Sequence, residues 1–285
     1  MTNAIYGALY VVATPIGNLD DLSPRAARVL GEASVIAAED TRHSAKLLRH
    51  LGIERPLISL HEHNEAGRVA QIAERLALGQ DVALISDAGT PLICDPGFVL
   101  VRELRDMGHR VVPIPGPCAL IAALSAAGLP TDRFLFLGFL SAKSGARRAR
   151  LQALLERDET LICYESPHRI RDTLADIADL FADRRVVLAR ELTKTFETFL
   201  DGTAATLIDR IEADPDQARG EFVMMLSGAP KRSESEHATI DATMLLTSLL
   251  DEGVGVKQVA AVAARMLGGP KKLWYARAQA IKGDG

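Results

Sequence analysis

The feature that most constrains the fold is a short apolar run that ends abruptly in a polar loop, after which a helical pattern begins. The clearest example is Val82–Ile85, which stops at Ser86 and Asp87. Ligands of open α/β sheets bind beyond the carboxyl ends of the strands. We therefore predict that this loop forms part of a ligand site. It carries more turn-forming residues than a plain connection needs, namely Gly89, Pro91, Asp95, Pro96 and Gly97.

The same pattern recurs through the first 116 residues and predicts a mainly parallel sheet. Apolar runs alternate with helical patterns, which is typical of α/β folds with helices on both faces of the sheet. Polar residues end these runs, such as Thr14 after the first and His61 after the third. Parallel strands bring such ends to one edge of the sheet, where we expect the site. The other runs lie at residues 9–13, 35–38, 56–60 and 110–114.

A second α/β domain with a mixed sheet is expected at residues 117–230, after a first domain at residues 1–116. Some of its apolar runs follow one another without an intervening helix, which favours antiparallel neighbours. Residues 117–127 are small and apolar, and they predict a closely packed helix at the junction of the two domains. The apolar runs lie at residues 134–139, 160–164, 185–189, 196–200 and 221–226.

The C-terminal part predicts a small helical appendage at residues 241–285, after a polar linker at residues 231–240. Three short helical patterns separated by glycines suggest the helix-turn-helix kind. Basic residues outnumber acidic ones from Val256 onward, although the whole chain has a net charge of −4. Such a face is often merely solvated, but aromatic side chains among cations also suit RNA. The candidate RNA contacts are Lys143, Arg147, Arg148, Arg150, Lys271, Lys272 and Trp274.

Several classes of function are disfavoured by what the sequence lacks. It has none of the motifs of P-loop nucleotide hydrolases, dinucleotide-binding enzymes, zinc proteases or serine hydrolases. The cysteines Cys94, Cys118 and Cys163 are too widely spaced for a zinc site or a disulfide framework. No apolar run approaches the roughly 20 residues that a membrane span requires. We expect a cytoplasmic protein without a metal ion.

Six short motifs are spread along the chain. The sequence reads Ala-Thr-Pro-Ile-Gly-Asn-Leu at residues 13–19 and Ser-Asp-Ala-Gly-Thr-Pro at residues 86–91. It reads Tyr-Glu-Ser-Pro-His-Arg at residues 164–169, and the other motifs lie at residues 38–42, 113–117 and 220–222. Together these motifs resemble the tetrapyrrole methylase superfamily, and within it the branch that methylates small-subunit ribosomal RNA. The resemblance covers essentially the whole chain.

The resemblance implies two α/β domains that hold S-adenosylmethionine in the cleft between them. It also implies that a homodimeric enzyme methylates the 2′-oxygen of a cytidine ribose in the decoding region of 16S ribosomal RNA. Thr90 stands where tetrapyrrole enzymes typically carry aspartate, which leaves open whether Asp87 makes the polar contact. The implied cofactor-binding residues are Pro15, Asp87, Ala88, Gly89, Thr90, Ile93, Gly116, Cys118, Ala119, Tyr164, Glu165 and Leu192.

Methyl transfer to a ribose hydroxyl needs a positioned oxygen nucleophile, and a nearby base or cation helps. The candidate proton acceptors at strand ends are Asp40, His61, Glu165 and Glu191. The candidate cations for a phosphate or an oxyanion are Arg42, Arg169 and Lys194. Each has a structural alternative, because charged residues at a sheet edge also form bracing ion pairs, as Asp40 and Arg42 would.

Two other functions stay open at this point. A tetrapyrrole methyltransferase acting on a corrin or porphyrin precursor would share the fold, but a small macrocycle needs neither basic segment. A non-catalytic RNA-binding protein of ribosome assembly would share the basic surface, but it would not need the cofactor motifs. Transfer of label from S-adenosylmethionine to RNA would separate the three functions.

Overall fold

The computed structural model describes residues 6–230 and 242–283 of the 285-residue chain. The chain divides into two compact units, Met1–Ala229 and Pro230–Gly285. The predicted linker at residues 231–240 lies outside the described residues. The predicted boundary between residues 116 and 117 falls inside the first unit and stays a prediction.

The first sheet is entirely parallel, as the alternating pattern predicted, with strand order β3-β2-β4-β1-β5. Because β4 lies beside β1, the loops that follow these two strands are neighbours at the carboxyl edge. The strands are β1 (Ala8–Val12), β2 (Val35–Ala38), β3 (Leu57–Ser59), β4 (Val82–Ile85) and β5 (Arg110–Ile114). The helices between and after them are α1 (Pro24–Glu32), α2 (Thr41–His50), α3 (Glu65–Ala77) and α4 (Phe98–Asp106).

Helices cover both faces of this sheet, which explains why its central strands are apolar at every position. Val82 and Leu84 of β4 pack on one face with α3 and α4. Ala83 and Ile85 of the same strand pack on the other face with α1 and α2. The run therefore has no polar position until Ser86, where the strand reaches the edge of the sheet.

The second sheet is mixed, as predicted, with strand order β6-β7-β10-β8-β9. Only β6 and β7 pair in parallel, and the other neighbours are antiparallel. The strands are β6 (Phe134–Phe139), β7 (Thr160–Glu165), β8 (Val186–Arg190), β9 (Thr198–Gly202) and β10 (Phe222–Leu226). The helices are α5 (Ala119–Ala126), α6 (Ser144–Gln152), α7 (Ile170–Leu180) and α8 (Ala204–Ala213).

The small-residue helix α5 covers one face of the second sheet. Its Leu120, Ala123 and Leu124 pack with Ile162 and Val187 of the strands, while α6, α7 and α8 cover the opposite face. Strand β9 begins later than predicted, at Thr198 rather than at residue 196. Phe196 stands 68% exposed in the preceding loop, so its apolar character did not indicate a strand.

Residues 242–283 of the C-terminal unit form three helices, α9 (Ala242–Asp251), α10 (Val256–Leu267) and α11 (Lys271–Gly283). Trp274 is only 8% exposed and belongs to their shared core with Leu246 and Val259. Its indole Nε1 donates a hydrogen bond to the Gly268 carbonyl at 2.6 Å. The expectation that Trp274 stacks on RNA is therefore corrected, because its ring is needed to hold the helices together. Within the described part of the chain, every helix is too short or too polar to cross a bilayer.

Candidate active site

The loops after β1 and β4 are tied together at the carboxyl edge of the first sheet. The Thr14 N–H donates to the Gly89 carbonyl at 2.8 Å, and the Gly89 N–H donates back to the Thr14 carbonyl at 3.1 Å. Gly89 has a φ of +83°, where a side chain would be strained and its Cβ would lie 3.2 Å from Ile16 Cγ2. This backbone pair fixes one wall of a cleft.

A cavity of about 410 Å³ lies between this wall and the second sheet. Its walls are largely apolar, with a few polar groups converging on it, which is typical of a small-molecule site of this size. The apolar lining includes Ile16, Ile93, Phe139, Leu192 and Val223, and the polar lining includes Thr90, Asp95, Tyr164, Glu165 and Glu221.

Most of the predicted cofactor-binding residues line this cavity. They are Ala88, Gly89, Thr90, Ile93, Cys118, Ala119, Tyr164, Glu165 and Leu192. Pro15 and Asp87 line a smaller cavity next to it. Gly116 instead brings its backbone close to Ala13, since a Cβ on Gly116 would lie 2.9 Å from the Ala13 Cβ. The cavity thus unites residues that are far apart in the sequence, although their contacts with a cofactor stay a prediction.

Two hydroxyl groups connect the halves of the cleft. The Thr90 hydroxyl donates to the Pro117 carbonyl at 2.9 Å, joining the loop after β4 to the turn before α5. The Tyr164 hydroxyl accepts a hydrogen bond from the Leu120 N–H at 3.2 Å, near the start of α5. Burial raises the pKa of Tyr164, so this hydroxyl stays protonated. Thr90 therefore supports the cavity in a way that the aspartate of tetrapyrrole enzymes, lacking a hydroxyl, would not.

The loop after β8 holds Leu192 against the cavity in an unusual backbone conformation. Glu191 and Thr193 have φ values of +50° and +64°, a region that non-glycine residues seldom adopt. Lys194 Nζ secures the loop by hydrogen bonds to Glu191 Oε1 at 2.9 Å and Glu221 Oε2 at 2.8 Å. Burial acts to lower the pKa of Lys194, but these two carboxylates raise it overall, so the ammonium stays charged.

Family comparisons agree with this geometry. The protein family described as "Tetrapyrrole (Corrin/Porphyrin) Methylases" matches residues 8–208. The family described as "RsmI C-terminal HTH domain" matches residues 236–282. Ribosomal RNA small subunit methyltransferase I of Pseudomonas aeruginosa is 57% identical over 95% of this chain and 96% of its own. The Haemophilus influenzae protein of the same name is 49% identical over 94% and 95%, respectively.

The chain belongs to the ribosomal RNA small subunit methyltransferase I family. Solved structures of low identity share its fold: the methyltransferase CobJ aligns with a TM-score of 0.59 and 21% identity, over 80% of this chain and 96% of its own. A uroporphyrin-III-C-methyltransferase from Thermus thermophilus aligns with a TM-score of 0.54 and 23% identity, over 78% and 94%. Membership in the family confirms the expected fold and the expected S-adenosylmethionine-dependent methyltransferase.

Glu165 is the one candidate proton acceptor of the sequence prediction that lines the cavity of this methyltransferase. Its side chain is fully buried, and three donors already surround it. The Thr173 hydroxyl lies at 2.7 Å, the Ser166 N–H at 2.8 Å and an Arg169 guanidinium nitrogen at 2.7 Å. These contacts favour a role in anchoring β7 to α7 over a role in accepting a proton.

Asp40, Arg42 and His61 lie at the same edge of the first sheet but do not line the cavity. Asp40 caps α2, and its carboxylate accepts from the N–H groups of Arg42 and His43. Hydrogen bonds from Arg42 lower the pKa of Asp40. His61 is exposed and bonds to Asn64. Their catalytic roles stay predictions, and the geometry favours the bracing alternative.

Asp95 is a cavity residue that the sequence prediction did not assign to the site. Its half-buried carboxyl follows two left-handed residues, Leu92 with a φ of +74° and Cys94 with a φ of +67°. Burial raises the pKa of Asp95, the nearby charge of Asp87 raises it further, and a hydrogen bond with Ser86 acts in the opposite direction. Strained backbone and a raised carboxyl pKa are both common at functional sites. The second aspartate of the loop was the only sequence signal for this residue.

The basic segment at residues 143–150, at the start of α6, contains exposed cations and cations held in ion pairs. Arg147 is 3% exposed and donates from Nε to Asp176 Oδ2 at 2.7 Å. Its predicted RNA contact is therefore corrected, because its guanidinium is buried in an ion pair. Arg148 is shared between Asp176 and Asp179. Lys143 and Arg150 are exposed, and their contacts with RNA stay predictions.

Gly17 is expected to control how closely the two halves of the cleft approach. A Cβ at this position would lie 2.5 Å from Lys194 Cγ and 3.0 Å from the Leu192 carbonyl oxygen. We expect Gly17→Ala to displace the loop that holds Leu192 and to weaken S-adenosylmethionine binding by about tenfold, measured by calorimetry. Gly67→Ala on α3 is the control, because its Cβ would meet nothing within 4 Å. Unchanged affinity in Gly17→Ala would show that this approach does not shape the cavity.

Proposed function

We propose that this protein transfers a methyl group from S-adenosylmethionine to the ribose 2′-hydroxyl of a cytidine in the decoding region of 16S ribosomal RNA. The observation that carries the proposal is the cavity, which gathers the family motifs of both sheets on one site. The relatives named ribosomal RNA small subunit methyltransferase I support the RNA substrate, since they match almost the entire chain.

The cavity fits the cofactor in size and in chemistry. Its volume of about 410 Å³ and its apolar walls suit an adenosine ring and a thioether chain. Ile16, Ile93 and Leu192 would contact the apolar parts, and the carboxylates of Asp95 and Glu165 would attract a positively charged sulfonium. When bound, S-adenosylmethionine supplies the electrophilic methyl group.

The residues of the chain would then act mainly by positioning the ribose and by accepting its proton. A ribose hydroxyl is a weak nucleophile, and a base that removes its proton accelerates the transfer. Asp95 suits this task better than Glu165, because the three donors around Glu165 already occupy its oxygens. The raised pKa of Asp95 makes its carboxylate a stronger base than an ordinary aspartate.

The decisive experiment supplies labelled S-adenosylmethionine and small ribosomal subunits that lack the modification. The proposal expects label in the RNA, at the 2′-oxygen of a single cytidine. Binding to the subunits without label would indicate the non-catalytic RNA-binding protein. Label on a corrin or porphyrin precursor, with none on RNA, would indicate the tetrapyrrole methyltransferase.

The C-terminal unit is proposed to hold RNA through exposed cations at the start of α11. Lys271 and Lys272 are both exposed there. We expect Lys271→Glu with Lys272→Glu to weaken subunit binding and to reduce the salt dependence of binding by about one phosphate contact for each lysine. Calorimetry should find the affinity for S-adenosylmethionine unchanged.

The matched control reverses the same charge elsewhere in this unit, with Lys257→Glu and Lys282→Glu. These substitutions should weaken binding less. An equal loss of subunit binding in both double variants would show that only the overall charge matters. A parallel loss of cofactor affinity would contradict the proposal that Lys271 and Lys272 contact RNA and not the cofactor.

We also infer that the enzyme works in the cytoplasm as a homodimer. Family resemblance supports the dimer, and the ribosomal substrate supports the location. Light scattering of the purified protein should give about twice the chain mass of 30.7 kDa. A mass equal to that of one chain would contradict the dimer.

A further inference from the structure

A second cavity, of about 170 Å³, lies beside the proposed cofactor site. Thr14 and Pro15 from the loop after β1, and Ser86 and Asp87 from the loop after β4, form one side of it. The next residues in each loop, including Ile16 and Ala88, line the larger cavity. The two cavities are therefore neighbours, separated by these two loops.

Ser44 on α2 gives this second cavity an unsatisfied polar group. The residue is 2% exposed, and its hydroxyl has no hydrogen-bond partner among residues 6–230 and 242–283. Its backbone N–H bonds normally to the Asp40 carbonyl, so the helix itself is intact. A buried hydroxyl without a partner is costly to the fold, and such groups in native structures call for an explanation. A ligand that hydrogen-bonds to Ser44 would provide one.

The other residues that line the second cavity are of three chemical kinds, namely cations, a carboxylate and apolar side chains. His43 and Lys46 are exposed at the mouth on the same helix, and Lys46 forms no ion pair within the described ranges 6–230 and 242–283. Asp87 offers a carboxylate, one oxygen of which accepts the Asp40 N–H at 3.1 Å. Leu19 and Leu47 add apolar surface.

We propose that the second cavity binds a nucleotide of the RNA substrate next to the nucleotide that is methylated. Lys46 and His43 match a phosphate, Ser44 and Asp87 match hydroxyl or amino donors, and the leucines match an apolar face of a sugar or base. The inference rests on the proposed function, because the neighbouring cavity must hold the methyl donor. Pro15 and Asp87 then contact substrate rather than cofactor.

Three single variants test this assignment in the full-length protein. Lys46→Glu should weaken binding to unmethylated small ribosomal subunits by about tenfold, since it replaces an attraction to phosphate by a repulsion. Ser44→Ala should weaken it by about threefold or more. Arg49→Glu is the matched control, because it makes the same charge change at an exposed residue of α2 that does not line this cavity. It should change binding by less than about twofold.

Thermal stability adds a readout that separates a ligand contact from a structural role. Because the Ser44 hydroxyl has no partner in the part of the chain that the structure describes, Ser44→Ala should unfold at the same temperature as the wild type or higher. Lower stability together with unchanged subunit binding would give Ser44 a structural role and overturn the proposal.

Further outcomes distinguish the alternatives. Equal loss of binding in Lys46→Glu and Arg49→Glu, with Ser44→Ala unaffected, would show only general attraction and overturn the proposal. Weaker S-adenosylmethionine binding in Ser44→Ala and Lys46→Glu, measured by calorimetry, would make the cavity an extension of the cofactor site and overturn it too. If free cytidine monophosphate competes as strongly as subunit RNA does, the ligand of the second cavity would be a free nucleotide and not a nucleotide of the RNA. Subunit binding is measured separately from methyl transfer, so absence of transfer in the wild type would contradict the proposed function alone.

Discussion

Replacing Asp95 with asparagine is expected to lower the rate of methyl transfer by about 100-fold or more, the usual contribution of a general base. Asparagine keeps the shape of the side chain but cannot accept the proton of the ribose hydroxyl. The affinity for S-adenosylmethionine should change far less than the rate. Single-turnover transfer to unmethylated subunits measures the rate, and calorimetry measures the affinity.

The pH dependence gives this prediction a distinct signature. A base acts in its ionised form, and burial raises the pKa of Asp95, so the wild-type rate should decline with falling pH before an ordinary aspartate would be protonated. Asp95→Asn should lose this acid limb. Glu165→Gln is the comparison, because Glu165 lines the same cavity. A slow Glu165→Gln and a normal Asp95→Asn would assign the base to Glu165.

The stability of Asp95→Asn should show that a loss of rate in this variant does not come from unfolding. A raised pKa in the folded state means that protonation of Asp95 favours folding at low pH, and this contribution is lost as the pH rises through the folded pKa. At neutral pH the wild type therefore carries a half-buried negative charge that the variant lacks. Thermal unfolding at pH 7 should find the variant at least as stable.

The largest effect on stability is expected from Asp176→Ala. This substitution leaves the Arg147 guanidinium, whose side chain is 4% exposed, without its ion-pair partner. Removing one partner of a buried pair costs about 3–5 kcal/mol, which corresponds to a fall in Tm of roughly 10 °C for a unit of this size. Urea unfolding followed by circular dichroism measures the loss.

Asp179→Ala is the matched control for this pair. Asp179 accepts from the same Arg148 nitrogen as Asp176, at 2.9 Å, but its side chain is 66% exposed. Surface pairs contribute about 1 kcal/mol or less, so this variant should remain close to the wild type. Equal effects of the two substitutions would contradict the importance of burial.

Acid should reduce the difference in stability between Asp176→Ala and the wild type. Burial acts to raise the pKa of Asp176, but hydrogen bonds from Arg148 and Arg147 lower it below its usual value of 3.8. The stabilising contribution is therefore present above the unfolded pKa and is lost as the pH falls through the lower folded pKa. The two unfolding curves should approach each other in strongly acidic solution.

Sequence alone was sufficient for the architecture because the relevant signals are local. The continuous apolar run Val82–Ile85 predicts a strand buried on both faces, and the polar break at Ser86 predicts where it reaches the sheet edge. Most of the cofactor-binding residues that the family motifs implied, such as Thr90 and Tyr164, likewise line the cavity. Such signals depend on neighbours within a few positions of the chain.

Only the tertiary structure decided which charged groups are free to act. Arg147 and Arg150 look alike in the sequence, but Arg147 meets Asp176 inside the fold and Arg150 stays exposed. Asp95 enters the cavity because of the backbone around it, and the Ser44 hydroxyl lacks a partner among the described residues because of how α2 packs. Burial and pairing depend on residues brought together from distant parts of the chain. The local sequence pattern that determined the strands and helices therefore could not determine which charged groups are buried or paired.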